Sequence, residues 1–273
     1  MRFSTRFRLF WCLMLLVGMF APLADSSEAG RCHRRSRRGC RASRMARSCP
    51  RQACCRADAV ATRQEEAEPA RISLFDGSSL AGWRIADEAD FTSHGEVTVR
   101  DGHIELEIGN PATGVVRKDD DVPKINYEIE LEAMRTGGGD FFCGLTFPIR
   151  EQYCTLIVGG WGGGVVGLSN IDGMAASENS VASWQDFKDD RWYKIRLLVT
   201  EVEIKVWIDD EQLIKVETDK HNYDIWWEQE PMRPLGIATW YTSAALRSIH
   251  LRRVDPQDSG KLAPVVESSN REE

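Results

Sequence analysis

A strict two-residue alternation runs through the middle of this chain, and it leaves few folds open. In INYEIELEA, Ile125, Tyr127, Ile129 and Leu131 share one parity, while Glu128, Glu130 and Glu132 share the other. RWYKIRLLV repeats the pattern with Tyr193, Ile195, Leu197 and Val199, and VEIKVWID with Val202, Ile204, Val206 and Ile208. A strand turns successive side chains to opposite faces, so such segments bury one side and leave the other toward water. Residues 192–200 and 202–208 are expected to pair as an antiparallel hairpin, and QLIKVE, after Asp209-Asp210-Glu211, continues the meander. Shorter runs at 97–99, 103–108, 113–117, 140–147, 153–158, 164–168, 235–241 and 246–253 read as further strands. No dozen-residue stretch carries a helical stripe. The expected fold is all-β, a jelly-roll sandwich of two antiparallel sheets over residues 71–254.

The flanks have a different composition. Arg2, Arg6 and Arg8 precede an apolar run from Leu9 to Phe20, and small residues follow at Ala21, Ala24 and Ala29. That order is expected of an export signal over residues 1–29. The run is about a dozen residues long, short of the roughly 20 that span a bilayer; a retained anchor is the alternative. Residues 31–56 hold ten arginines, no acids, and Cys32, Cys40, Cys49, Cys54 and Cys55. A disordered leader, a small disulfide knot and a basic tether all fit that composition. Residues 57–70 read as a linker and 255–273 as a disordered polar tail. From residue 57 onward there are 22 basic and 40 acidic side chains, a formal charge of -18 hidden within the chain's overall -7. Such a surface repels phosphate, which excludes nucleic acid as a partner. After the first 29 residues no segment is apolar enough for a membrane span. The expected protein is exported, periplasmic or extracellular.

Gly159-Gly160-Trp161-Gly162-Gly163-Gly164 interrupts two strand-like runs. Glycine weakens a strand unless backbone bends sharply or something approaches closely. Two readings follow: a corner of the sandwich, or an open shelf that carries an exposed ring.

Four segments share an order and spacing with a known family. They are SLFDGSSLAGW (73–83), VRDGHIEL (99–106), DRWYKIRLLVTEVEIKVWIDDEQLIKVE (190–217) and GIATWYTSAALRSIHLRRV (236–254). Together they resemble the 3-keto-disaccharide hydrolase domain family over residues 71–254. The resemblance implies a concanavalin A-like jelly roll and a carbohydrate partner. It also implies, for some members, cleavage of glycosides already oxidised to a ketone at C3 of the sugar. The ketone acidifies the C2 proton, so a base can drive elimination of the glycosidic oxygen before water adds back. The family's central Asn-Ser-Gly strand is replaced here by GGGDFFCGLTFPI (137–149), as in a planctomycete-type branch.

Such chemistry needs a base near the C2 proton and a cation or donors at the ketone. Glu130 and Asp172 are the candidate bases, and Lys194 and Arg196 the candidate cations. Glu128 and Glu132, on the parity of Glu130, could bind sugar if that face is concave; on a convex face the three are solvated charges. Trp161, Trp207 and Trp240 are the candidate rings for stacking on sugar. Trp207 shares its parity with Trp192, Lys194, Arg196 and Lys205, which gives either a binding patch or a packed second face. Asn170, Asp172 and Gly173 echo a calcium loop, and ordinary turn chemistry explains them equally. No cofactor is expected, with Ca2+ in this loop as the alternative. His94, His103, His221 and His250 lack ligand spacing for a transition metal. Cys143 and Cys154 flank a turn at 148–152, so hairpin pairing would bring them together as a disulfide; two buried thiols are the alternative. The alternative to an enzyme is a non-catalytic sugar-binding or cell-surface interaction module on the same fold.

Overall fold

The structure, a computed structural model, describes residues 70–87, 90–119 and 121–255. The expected signal, the arginine–cysteine leader and the tail beyond residue 255 lie outside the described residues.

Fifteen strands form two antiparallel sheets. The strands are β1 (Ile72–Ser73), β2 (Trp83–Ile85), β3 (Val97–Arg100), β4 (His103–Leu106), β5 (Ala112–Arg117), β6 (Tyr127–Gly138), β7 (Cys143–Ile149), β8 (Gln152–Gly159), β9 (Val165–Ser169), β10 (Ser183–Trp184), β11 (Tyr193–Val199), β12 (Glu203–Ile208), β13 (Glu211–Glu217), β14 (Gly236–Trp240) and β15 (Thr242–Arg253). The first sheet runs β13-β12-β11-β6-β15-β4-β3, with β1 also paired to β15. The second runs β10-β9-β8-β7-β14-β5-β2. This is the expected jelly-roll sandwich. The hairpin of β11 and β12 pairs Ile195 with Ile208 and Leu197 with Val206. Short β1, β2 and β10 carry too few residues to show alternation, which is why pattern reading passes over them.

Parity builds the core. Tyr127, Ile129 and Leu131 of β6 and Tyr193, Ile195 and Leu197 of β11 point inward from the first sheet. Leu145 and Phe147 of β7, Leu156 of β8, Leu168 of β9 and Ile237 of β14 meet them from the second. Each fully buried Leu, Ile or Phe contributes roughly 1.5–3 kcal/mol over leaving it in water. The spacing within SLFDGSSLAGW has a structural reason. Asp76 Oδ1 accepts the amides of Ser78 and Ser79, each at 2.7 Å, and these bonds hold its carboxyl down to about 2. The turn delivers Trp83 into the core, where its Nε1 donates to the Leu74 carbonyl at 2.7 Å.

The disulfide expectation is corrected. In the β7–β8 ladder Cys143 opposes Val158 and Cys154 opposes Phe147, so the two thiols sit four pairs apart along the hairpin. Both are free and buried. Burial pushes the Cys143 thiol up to about 12 and raises that of Cys154 as well.

Candidate functional site

The outer face of the second sheet is built from small side chains. Gly114 opposes Ala238, Ala238 opposes Gly144, Gly144 opposes Ile157, and Ile157 opposes Gly167. With so little bulk on the strands, connecting segments lie directly against them. A Cβ at Gly144 would stand 2.8 Å from the Phe141 ring, and one at Gly236 only 2.6 Å from the Met232 carbonyl oxygen. The covering segments stop short of each other and leave a cleft of about 320 Å³. Its floor is Thr155, Ile157 and Ser169 of β8 and β9. That volume lies at the lower end of small-molecule sites.

Three tryptophans line the cleft. Trp161 sits in the turn at 160–163 with φ 48° and ψ 55°, a left-handed conformation that its glycine neighbours make easy to reach. Its ring is 44% exposed. Both readings of the glycine run therefore hold at once: it is a sandwich corner and it carries an open ring. Trp240, on the outer parity of β14, stacks on Phe141 with centroids 6.0 Å apart and planes at 25°. Trp226 projects from the start of the 3-10 turn Trp227–Met232.

Among these rings stand three polar side chains, Asp140, Glu228 and Gln229. The amide of Asp140 donates to Thr242 Oγ1 at 2.9 Å, which ties the residue to the start of β15. Its Oδ1 accepts the Phe141 amide at 2.7 Å, and the Trp161 amide also donates to the carboxyl. Burial nevertheless outweighs these two bonds and raises the Asp140 carboxyl above its ordinary value. Gln229 is 4% exposed, and its buried Oε1 has no hydrogen-bond partner. A half-buried carboxyl, an unsatisfied amide and three ring faces form a set suited to a neutral ligand with apolar faces and hydroxyls.

The sequence brought two of these groups forward, Trp161 and Trp240. It missed Asp140, Glu228 and Gln229, and it counted Trp226 among the domain's tryptophans without choosing it for the site. Asp140 opens the expected strand 140–147, but β7 begins only at Cys143 and leaves Asp140 in the connection ahead of it. The available signal was Phe141-Phe142 beside it, where apolar rings occupy both parities: Phe142 enters the core and Phe141 packs on the outer face. Trp226-Trp227 ahead of Gln229 is a signal of the same kind.

The other candidates are elsewhere. Glu128, Glu130, Glu132, Lys194 and Arg196 stand on the outer face of the first sheet and pair across its ladders. Glu128 contacts Arg252 at 2.9 Å and Arg196 at 3.7 Å; Glu130 pairs with Arg71 and, at 3.2 Å, with Lys194. Glu132 takes two bonds from Arg247. Burial lowers the Arg196 pKa, opposed by the charges of Glu128 and Glu130. Trp207 shares this face but is not an open platform. It is 8% exposed, packed on Leu198 and Val254, with the Arg196 guanidinium 3.8 Å from its ring centre. Asp172 is in a surface loop, where Oδ2 meets His221 Nδ1 at 2.7 Å and Oδ1 accepts the Asn222 amide at 2.9 Å. Those bonds pull its carboxyl below the ordinary value. The loop oxygens are thus spent on turn contacts, and among the described residues no group of three or more His, Cys, Asp and Glu side chains could hold a metal ion. No described helix is long and apolar enough to cross a membrane.

Among solved structures, the chain is similar to a candidate glycosyl hydrolase from Parabacteroides distasonis, at 13% identity and TM-score 0.43, covering 72% of this chain and 99% of that one. It is also similar to a carbohydrate-binding module, CBM66, from Bacillus subtilis, at 12% identity and TM-score 0.41 over 63% and 95% of the two chains. A third is domain 4 of an extracellular arabinanase from Geobacillus stearothermophilus, in complex with arabinotriose, at 12% identity and TM-score 0.44 over 71% and 97%. No curated protein matches the chain. Residues 70–252, which span almost all of the described sandwich, match the 3-keto-alpha-glucoside-1,2-lyase-like domain. The chain belongs to that family.

Proposed function

We propose that the cleft binds a glycoside carrying a ketone at C3 and that Asp140 is the base that starts its cleavage. The observation that carries this reading is a carboxyl raised by burial inside a tryptophan-lined cleft. A carboxylate made more basic in this way is suited to taking a proton from carbon. Trp161 and Trp240 offer faces for the sugar's C–H surfaces. Asp140 removes the C2 proton, and the electron pair forms an enolate with the C3 carbonyl. The unpaired Gln229 Oε1 is in the cleft to accept a hydrogen bond from a sugar hydroxyl. Collapse of the enolate forms the C1–C2 double bond and breaks the bond from C1 to the glycosidic oxygen. The leaving oxygen takes up the proton held by Asp140. Addition of water across the double bond then places hydroxyl on C1 and hydrogen on C2, which completes a net hydrolysis. The arginine-headed segment at residues 1–29 supports a site of action outside the cytoplasm.

Turnover of 3-keto-sucrose by the purified protein tests this reading. Asp140→Asn is expected to lower kcat/KM by about 10²–10⁴-fold, the usual contribution of a general base. The alternative is binding without turnover, which the same open rings would support. Sugar binding with no product from the parent protein would favour that alternative and overturn the assignment to Asp140.

A further inference from the structure

The aromatic surface continues past the cleft. Trp184, on edge strand β10, opposes Val165 of β9 and therefore shares its face of the sheet. Val165 packs with Phe141 and Ile157 on the outer side, so Trp184 stands on the side that holds the cleft. Its ring is 62% exposed. The ring also rests directly on backbone: a Cβ at Gly164 would lie 2.4 Å from Trp184 ring atoms. Gly164 ends the turn that carries Trp161, and its carbonyl accepts the Gln185 amide at 2.9 Å. One turn thus joins the ring that lines the cleft to the ring at the sheet edge. Trp240 on β14 and Trp184 on β10 are four strand positions apart in the second sheet. At about 4.8 Å per strand that row spans about 19 Å.

We propose that Trp184 is a distal subsite for a glucan chain, so that the ligand is an oligosaccharide laid across the sheet from Trp240 past Trp161 to Trp184. The inference rests on the cleft's being a sugar site and adds its reach. A row of that length exceeds one disaccharide and accommodates several linked pyranose rings. One face of the Trp184 ring is covered by backbone and the other is open, the arrangement in which an indole stacks on a sugar's C–H face at little entropic cost. All the exposed large aromatic side chains among the described residues (Trp161, Trp184, Trp226, Trp227 and Tyr241) belong to the second sheet or its connecting segments. On the first sheet the outer rings of Trp192 and Trp207 are capped by Arg247 and Arg196 at 4.0 and 3.8 Å. The open rings are therefore confined to the row and its rim.

Calorimetric titration of the full chain with α-1,4- and β-1,4-linked glucose oligomers of two, four and six units tests the proposal. With one of the two ladders, affinity is expected to rise about fivefold to tenfold from dimer to tetramer, the contribution of one stacked ring. In Trp184→Ala the tetramer and hexamer should fall to the dimer's affinity. Gly164→Ala, which displaces the ring without removing it, should lose the same increment. A flat dependence on length, a rise that survives in Trp184→Ala, or binding of neither ladder would overturn the proposal. Turnover of 3-keto-sucrose that depends on Asp140 would stand through any of those results, so the two readings fail separately.

Discussion

The two outer faces of this sandwich are made by the same alternation, yet they end in opposite states. On the first sheet the outward positions of β6, β11, β12 and β15 carry long charged side chains. These reach across the ladders and close on one another: Glu128 with Arg252 and Arg196, Glu130 with Lys194, Glu132 with Arg247. Its tryptophans lie under guanidinium groups. On the second sheet a central row of outward positions is small, Gly114, Ala238, Gly144 and Gly167, and Thr146 and Thr155 bond to each other at 2.9 Å. That row lacks the long side chains that would cover it, so connecting segments cover part of the face and leave a cleft. Charge density alone is thus a poor guide to the working surface. A face that satisfies its own charges has little left for a ligand, whereas a face of small residues must be covered from elsewhere, and the cover can be incomplete.

The contrast can be broken most forcefully on the charged side. Glu128 is 3% exposed between two arginines, so Glu128→Ala removes a buried carboxylate that Arg196 and Arg252 share. Chemical denaturation should show a loss of about 3–5 kcal/mol, with sugar affinity of the folded fraction retained. If stability holds and sugar affinity collapses, the charged face is functional after all. On the open side the expectation reverses. Trp161→Ala should weaken sugar binding by about fivefold to tenfold and leave the melting temperature near that of the parent, because its ring is largely out of the core. Equal affinities for variant and parent would remove Trp161 from the site.

A smaller effect sharpens the comparison through pH. The Asp140 carboxyl is raised above its ordinary value of 3.8 by burial. The native state therefore holds that proton more tightly than the unfolded chain does. The stabilising contribution is fully present below 3.8 and is lost as pH rises through the raised native value. Asp140→Asn, neutral at every pH, should thus melt slightly higher than the parent at pH 7, and the gap should close as pH falls toward 3.8. A variant that melts lower than the parent at pH 7 would mean that Asp140 is structural and that its hydrogen bonds outweigh its burial.

Much of the fold was legible because parity is a local property. INYEIELEA and RWYKIRLLV announce which residues enter the core, and β6 and β11 put them there. Parity does not say which outer face is open. That depends on where the connections between strands come to rest, and Gly144, Gly167 and Gly236 decide it by letting Phe141, Ala176 and Met232 close against the sheet. For this reason Glu130 and Lys194 read as a site from their spacing but stand in a closed ladder of ion pairs. Asp140 stood in plain view within GGGDFFCG and carried no pattern. Its position in the cleft comes from Thr242 on another strand and from the Trp161 amide in another turn. The thiols show the same limit at shorter range, since symmetry about a turn suggested that Cys143 and Cys154 meet, whereas the register of β7 and β8 offsets them.

The location of a bound sugar tests the central claim most directly. A crystal structure of Asp140→Asn soaked with 3-keto-sucrose should show the keto sugar against Trp161 and Trp240, with C2 next to the substituted side chain. A sugar seated instead over Glu130 and Arg196, on the outer face of the first sheet, would contradict it.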